Sequence, residues 1–521
     1  MASKSGPPPI VYILVVLGVL GGGWYATNRL VDSKIEVPSL PNLVNRGGDE
    51  VLLLGDTFSG YSTFRNDEFQ AALEAAEIEL RYEDEFSQAE RAKRLNSGEA
   101  ELIVTTLDRY LQQQPDGKIV GLIDRTVGAD AVTLNTPQYP GLSSLNDLDA
   151  LVDDARARGE QLSIAYAADT PSEYLAQVLD IRFENFNLSD LRATEVAEAS
   201  EAWQLAQDPS QKIAVTVLWE PFVTQARQHG HTVVLSSQDA PNAILDVLVA
   251  SEHYMASNPD ELSKLLEVYY RRIDANARDR SGLREQIQTD GNLSATEATV
   301  VMDGIDFFTS VEANRWMAAD TLPKRMQSTA AVLALSGQLD DVPNDVTELY
   351  TSKFISEAVA NTRALIALIE TDNPELAQFL KGEVKSTTAV TTASTTRVQS
   401  APDIGNLQVR GDVSFATGSA QLDAIGQQTI DRLATEVQEF NAQTVAVRVI
   451  GHTSRTGSAS LNQQLSQQRA QVVVDRLKSK GVVHTIVAEG KGFSEPLPNI
   501  SPADARNQRT EIRLVRLNAN I

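Results

Sequence analysis

Gly451-His452-Thr453-Ser454-Arg455-Thr456-Gly457-Ser458, continued by Asn462, Leu465-Ser466 and Arg469-Ala470, is the stretch from which the rest of the chain can be read. It has the form of a strand end, a tight glycine-bearing turn, and a helix whose Leu465, Val472, Val473 and Leu477 share one apolar face. In that geometry the turn residues and Arg469 can converge on a small anionic group, to which arginine offers a planar fork of donors.

Outward from this stretch, residues 405–521 alternate between two periods. Leu407–Arg410 and Val413–Leu422 read as strands, Ala424–Phe440 as helix, Thr444–Ile450 as strand, then a helix to Lys480, a short strand from Ile486 to Gly490, and a closing strand Thr510–Val515. That order predicts an α/β sandwich. Phe415 with Gly418-Ser419-Ala420, Gly451-His452-Thr453, Asn462, Leu465-Ser466, Arg469-Ala470, Gly490-Lys491-Gly492, Pro496 and Asn507-Gln508-Arg509 together resemble OmpA-like domains.

The resemblance implies a pocket that grips the carboxylate of diaminopimelate in peptidoglycan stems. In that family an Asp directly after Gly-His-Thr works with the Arg before Ala on the next helix. Arg469 stands at the second position and Ser454 at the first, so the expected negative charge is missing while a hydroxyl remains. The peptidoglycan-binding candidates are Thr453, Ser454, Asn462, Arg469 and Arg509. His452 reads as a turn-packing residue, since no other histidine stands at metal or triad spacing.

Residues 383–404 contain the run Ser386–Thr396, low in complexity and without a core-forming period, which predicts a flexible Ser/Thr-rich linker. Charge changes across it. The chain carries a formal net charge of −25, yet residues 404–521 hold 13 Lys and Arg against 10 Asp and Glu, so the acidic excess lies upstream. The net charge argues against a nucleic-acid-binding surface as the main function, since phosphate neutralisation needs Lys and Arg in excess.

Residues 50–382 open on Val51-Leu52-Leu53-Leu54-Gly55-Asp56, a short apolar run feeding a polar turn, as a buried strand does. Apolar runs then alternate with amphipathic helices through Glu101–Thr106, Lys118–Asp124, Ala131–Leu134, Leu162–Tyr166 and Ile213–Leu218, which predicts an α/β fold with a parallel sheet. Helical patterns follow over Leu262–Arg272, Ala295–Phe308, Ser328–Leu335 and Thr347–Leu368. Thr170 with Pro171 marks a helix start at a strand's end, a position suited to anions.

The strand running into Trp219-Glu220-Pro221-Phe222, then Gly230 before Thr232–Leu235, Asp239-Ala240-Pro241 and a helical tail, resembles the solute-binding proteins of ABC importers for nitrate, sulfonate, taurine and thiamine precursors. The resemblance implies two α/β lobes that close on a ligand, a two-lobed periplasmic-binding-protein-like domain. Its cleft candidates are Thr57, Ser59, Tyr61, Thr105, Thr106, Asp124, Thr170, Ser172, Trp219 and Glu220. Hydroxyls and a helix start would suit an anionic or zwitterionic solute; Asp124 and Glu220 would suit a cationic one. Both remain open from the sequence.

Ile10–Ala26 carries no ionisable side chain except Tyr12 and Tyr25, and Trp24 and Tyr25 fit an interfacial belt. Residues 1–30 are therefore expected to hold one transmembrane anchor, with a cleaved signal peptide as the other reading of the same run, and residues 31–49 a tether. The expected protein is inner-membrane-anchored, single-pass, with its bulk in the periplasm of a Gram-negative envelope. Its expected partners are peptidoglycan, a small-molecule solute, the membrane through residues 10–27 and a membrane protein. A stator-like subunit would need an acidic residue in the span, and Ile10–Ala26 has none. The absence of cysteine removes disulfides, thiolate metal sites and the lipobox, and separates the chain from pyrimidine-precursor synthases of similar fold. No cofactor, metal or catalytic set is expected; a structural envelope tether is the alternative to a solute binder.

Overall fold

The computed structural model describes residues 50–383, 393–409, 413, 415 and 419–517. The expected anchor and tether lie outside the described residues. Among those described, no helix is long and apolar enough to cross a membrane.

The first lobe is built on β1 (Glu50–Gly55), β2 (Glu79–Asp84), β3 (Leu102–Thr106) and β4 (Gly117–Thr126). Its sheet is completed by β10 (Leu245–Ser251) and β11 (Ile305–Phe307), in the order β11-β4-β10-β3-β1-β2. The run Val51–Leu54 is buried on both faces, which is why it reads as continuous hydrophobic sequence. The second lobe holds β5 (Asp130–Leu134), β6 (Ser163–Ala167), β7 (Arg192–Val196), β8 (Ile213–Trp219) and β9 (Thr232–Ser236), in the order β7-β6-β8-β5-β9. The chain leaves the first sheet after β4 and returns in β10 (Leu245–Ser251), which runs antiparallel to both β3 and β4. Two crossings therefore join the lobes.

The helical tail departs from expectation in two places. Ala295–Phe308 is not one helix: it ends at Asp303, and Ile305–Phe307 forms β11, paired antiparallel with Asp124–Thr126. Gly304 makes the change possible, because a Cβ there would lie 2.9 Å from the Ala129 backbone nitrogen in the crossing segment. Thr347–Leu368 is α-helical only from Ser356, in the helix Ser356–Ile369, preceded by single 3-10 turns at Thr347–Leu349 and Lys353–Ile355. Before it the chain runs beside β4, where the Thr351 amide donates to the Ile119 carbonyl at 2.9 Å.

The C-terminal sheet comprises β12 (Asp403–Asn406), β13 (Val445–His452), β14 (Ile486–Gly492) and β15 (Thr510–Arg516), in the order β12-β15-β13-β14. The helices Ala424–Val437 and Ala459–Ser479 complete the sandwich, the second packing on β13 and β14. The first strand falls earlier than the expected Leu407–Arg410; Leu407 instead bridges Phe183 of the second lobe. The linker expectation over 383–404 is also narrowed. Residues 384–392 lie outside the described residues, but Thr395–Ser400 is a helix capped by Ser394, and its Val398 is buried against Ala446, Val487 and Val515. One apolar residue per turn suffices to dock this segment on the sandwich.

This sandwich shares a continuous apolar core with the second lobe. Phe183, Phe186 and Leu145 pack with Ile404, Leu407 and Phe440, and the Phe183 and Phe440 rings meet edge to face at 6.1 Å. The Gln408 amide donates to the Arg182 carbonyl at 2.8 Å and the Glu184 amide to Asn406 at 3.0 Å. Arg516 reaches Asp239 at 2.5 Å and the Val233 carbonyl at 2.6 Å, while Arg325 of the tail pairs with Glu439.

Candidate functional site

In the C-terminal pocket two glycines let a helix lie directly on the sheet. A Cβ at Gly451 would sit 2.3 Å from the Ser466 carbonyl oxygen, and one at Gly490 2.5 Å from the Gln467 nitrogen. The close approach is secured by Gly492 donating to Ser466 Oγ at 2.9 Å and Gly490 to Gln467 Oε1 at 2.7 Å. Ser458 caps the helix by accepting from the Leu461 amide.

Arg469 rises from that helix and is only 7% exposed. Its Nε donates to the Ser419 carbonyl at 3.1 Å, its Nη1 to Gln508 Oε1 at 3.4 Å, and its guanidinium lies 4.9 Å over the Phe415 ring. Among the described residues no carboxylate pairs with it, and burial alone lowers its pKa. Gln508 in turn donates to Ser454 Oγ at 3.3 Å, with Thr456 Oγ1 3.3 Å from that same oxygen. The result is a buried cation ringed by neutral groups, the complement of a carboxylate.

Thr453 is buried beside Ser454. Asn462 serves the turn, donating to the Thr456 carbonyl at 2.7 Å and to Ser458 at 3.1 Å. Arg509 is engaged with Glu511 at 2.7 Å. His452 Nε2 lies 3.2 Å from the same carboxylate. Burial alone would raise Glu511, but His452, Arg509 and Arg513 outweigh it and bring its pKa down to about 2. Gln508 was missing from the sequence candidates, although it stands inside the quoted Asn507-Gln508-Arg509.

A second constellation lies where β1, β3, β4 and β10 meet the second lobe. Asp124 and Asp246 are register partners on adjacent antiparallel strands, so their side chains share a face. Tyr61 donates its hydroxyl to Asp246 Oδ1. Asp124 is fully buried (0% exposed), and neither of its oxygens has a hydrogen-bond partner. The turn after β1 lies on this carboxylate: a Cβ at Gly60 would be 2.2 Å from Asp124 Oδ2. Tyr269, from the helix Pro259–Arg278, is fully buried near both acids with an unpartnered hydroxyl. Burial, and then the neighbouring carboxylates, push Asp124 well above the usual carboxylate range; burial does the same to Asp246, against the Tyr61 hydrogen bond. Asp130, at the start of β5, is pushed up to about 7 chiefly by burial.

The two lobes are in direct contact. Arg109 of the first lobe donates to the Thr170 carbonyl at 3.2 Å and to Glu173 Oε2 at 2.9 Å in the second. Tyr174 and Val178, from the helix Pro171–Arg182, enter the first lobe's core.

The other sequence candidates divide by position. Thr57 is exposed and Ser59 buried. Thr105 donates to Gln88 at 2.7 Å and Thr106 begins the helix Leu107–Gln113. Thr170 caps the next lobe's helix, accepting from the Ser172 amide at 3.2 Å, and the Ser172 hydroxyl is buried without a partner. Glu220 accepts from the Thr224 amide and hydroxyl at 3.0 Å each, and Trp219 packs against the core containing Trp203. Asp246, Tyr269 and Arg109 were not singled out in the sequence. A lone Asp inside the apolar run Ile244–Ala250 was the available signal for Asp246.

Residues 414–510 match the OmpA family model. Outer membrane protein A of Shimwellia blattae is 42% identical over 105 residues, covering 20% of this chain and 43% of that protein. The Klebsiella pneumoniae protein of the same name is 41% identical over 90 residues, covering 17% of this chain and 26% of its own length. The chain thus spans less than half the length of these curated relatives. Among solved structures, the periplasmic aliphatic sulphonate binding protein from Escherichia coli aligns over 58% of this chain and 92% of its own, with TM-score 0.46 and 12% identity. The periplasmic nitrate-binding protein from Synechocystis PCC 6803 aligns over 60% and 88%, with TM-score 0.44 and 12% identity. The two lobes and their crossings are set by the strand order itself, independently of that likeness. The C-terminal part of the chain carries an OmpA-like domain.

Proposed function

We propose that this is a cell-envelope protein that binds a small solute between its two lobes and attaches non-covalently to peptidoglycan through its OmpA-like domain. Residues 10–26 would anchor it in the inner membrane as a single span, leaving its bulk in the periplasm. The observation that carries the wall attachment is Arg469, a nearly buried guanidinium that has no counter-ion among the described residues and is ringed there by neutral groups. A stem-peptide carboxylate would supply the missing charge with bidentate geometry. Ser454 and Thr453 would take the place of the family's acidic partner as hydroxyl contacts.

Solute binding is supported by the two-lobed fold and by the unpartnered polar atoms of Asp124, Asp246 and Tyr269 near the lobe crossings, since buried polar groups in folded proteins are satisfied with few exceptions. The test is co-sedimentation of the full chain with purified sacculi. Retention of the wild type, reduced by Arg469→Ala, is the expected result. Equal retention of both would overturn the assignment of the pocket.

A further inference from the structure

We infer that the solute enclosed between the lobes is an organic cation, an amine or quaternary ammonium, whose charge is set against Asp124 and Asp246. This rests on the reading of the two-lobed domain as a solute binder and names the class of solute. The acidic pair does not stand alone. Tyr269, brought by a helix of the tail rather than by the sheet, is fully buried with its hydroxyl unpartnered beside the two acids. Asp130, where the chain enters the second lobe, is buried and acts electrostatically on both acids. Strand ends and a tail helix thus bring together buried polar atoms that no group among the described residues satisfies.

The cations nearby are already taken. Arg91 is paired with Asp56, Arg109 with Glu173 and Asp108, and Arg125 with Asp306 and Glu312. Because side chains alternate along β4, Arg125 turns away from the face that Asp124 occupies. The helix start that the sequence offered to an anion is also filled. Glu173 Oε2 accepts from the Asp169 amide at 2.9 Å, and Thr170 Oγ1 from the Ser172 amide. An anionic solute would have to displace one of these internal partners, whereas a cationic one meets free carboxylate oxygens.

Aromatic faces point to an organic cation. Phe58 and Tyr61 meet edge to face at 5.2 Å on the turn that covers Asp124, and rings of this kind attract ammonium groups. Among the described residues, no group of three or more His, Asp or Glu is arranged to hold a metal ion.

Thermal unfolding of the full chain tests this with putrescine, ethanolamine and choline on one side and taurine, methanesulfonate and nitrate on the other. A rise of several degrees with at least one cationic probe, and with no anion, is expected. Asp124→Asn should erase that rise while keeping a cooperative basal transition, since it replaces one buried neutral polar group by another of the same shape; Tyr269→Phe should weaken the rise. A rise with methanesulfonate or nitrate but with none of the cations would overturn the cation assignment and leave solute binding standing. No rise with any of the six would overturn both.

Discussion

Arg109 in the first lobe and Glu173 in the second are ion-paired at 2.9 Å, with the arginine side chain only 3% exposed, so the closed lobes are held by a nearly dry bridge. Glu173→Gln removes the charge partner and weakens the acceptor for the Asp169 amide, while Asp108 still neutralises the arginine. The closed arrangement should lose about 1.5–3 kcal/mol. Small-angle scattering should then report a larger radius of gyration for the variant than for the wild type; superimposable curves would contradict this role.

Arg516 spans the junction between the C-terminal sandwich and the second lobe, and Asp239, its partner, is buried there. Arg516→Ala leaves that carboxylate with only the Ser236 amide and hydroxyl, at 2.9 and 3.0 Å. A loss of about 3 kcal/mol is expected. With a shared core, the wild-type second lobe and sandwich should melt together, and the variant should release the sandwich at lower denaturant. A coincident, unshifted transition would count against the junction.

Gly490→Ala places a methyl group 2.5 Å from the Gln467 nitrogen, where the helix carrying Arg469 rests on β14. Overpacking of this kind costs about 1–3 kcal/mol. Denaturant unfolding should show that loss, and sacculus retention should fall with it because the helix is lifted from the turn. Unchanged stability would mean that the close approach is not needed.

Asp130 is held at about 7, chiefly by burial, with the Glu220 charge adding and a Thr126 hydrogen bond opposing. Between the ordinary carboxylate value and about 7 the folded chain keeps a proton that the unfolded chain has lost. Its contribution to stability therefore falls as pH rises through that window, by at most about 1.4 kcal/mol per pH unit. Asp130→Asn removes the slope. Its melting temperature relative to wild type should climb from about pH 4 to about pH 7, and a constant difference would contradict the shift.

Strand and helix positions were legible wherever burial on both faces left an uninterrupted apolar run, as in Val51–Leu54, or where a cap and a first-turn proline coincide, as at Thr170-Pro171. β11 was not, because Ile305-Asp306-Phe307 follows a helix without a proline and only its pairing with β4 makes it a strand. The docking of Thr395–Ser400 was hidden for a related reason: one residue, Val398, provides its fully buried contact. In the C-terminal pocket a linear motif brought Ser454 and Arg469 into view together. The interlobe group was harder to see, since Asp124 and Asp246 are far apart in sequence and become neighbours only through strand register. That Glu173 occupies the helix start an anion would use was equally hidden, since it depends on how the side chain folds back on the Asp169 amide.

The most direct test of the wall-binding claim is a calorimetric titration of the full chain with a soluble peptidoglycan stem peptide containing diaminopimelate. The wild type should bind it, and Arg469→Ala should bind at least about tenfold more weakly, as expected when a charged hydrogen-bond partner is lost. Equal affinity in the two proteins, or no binding by the wild type, would contradict it.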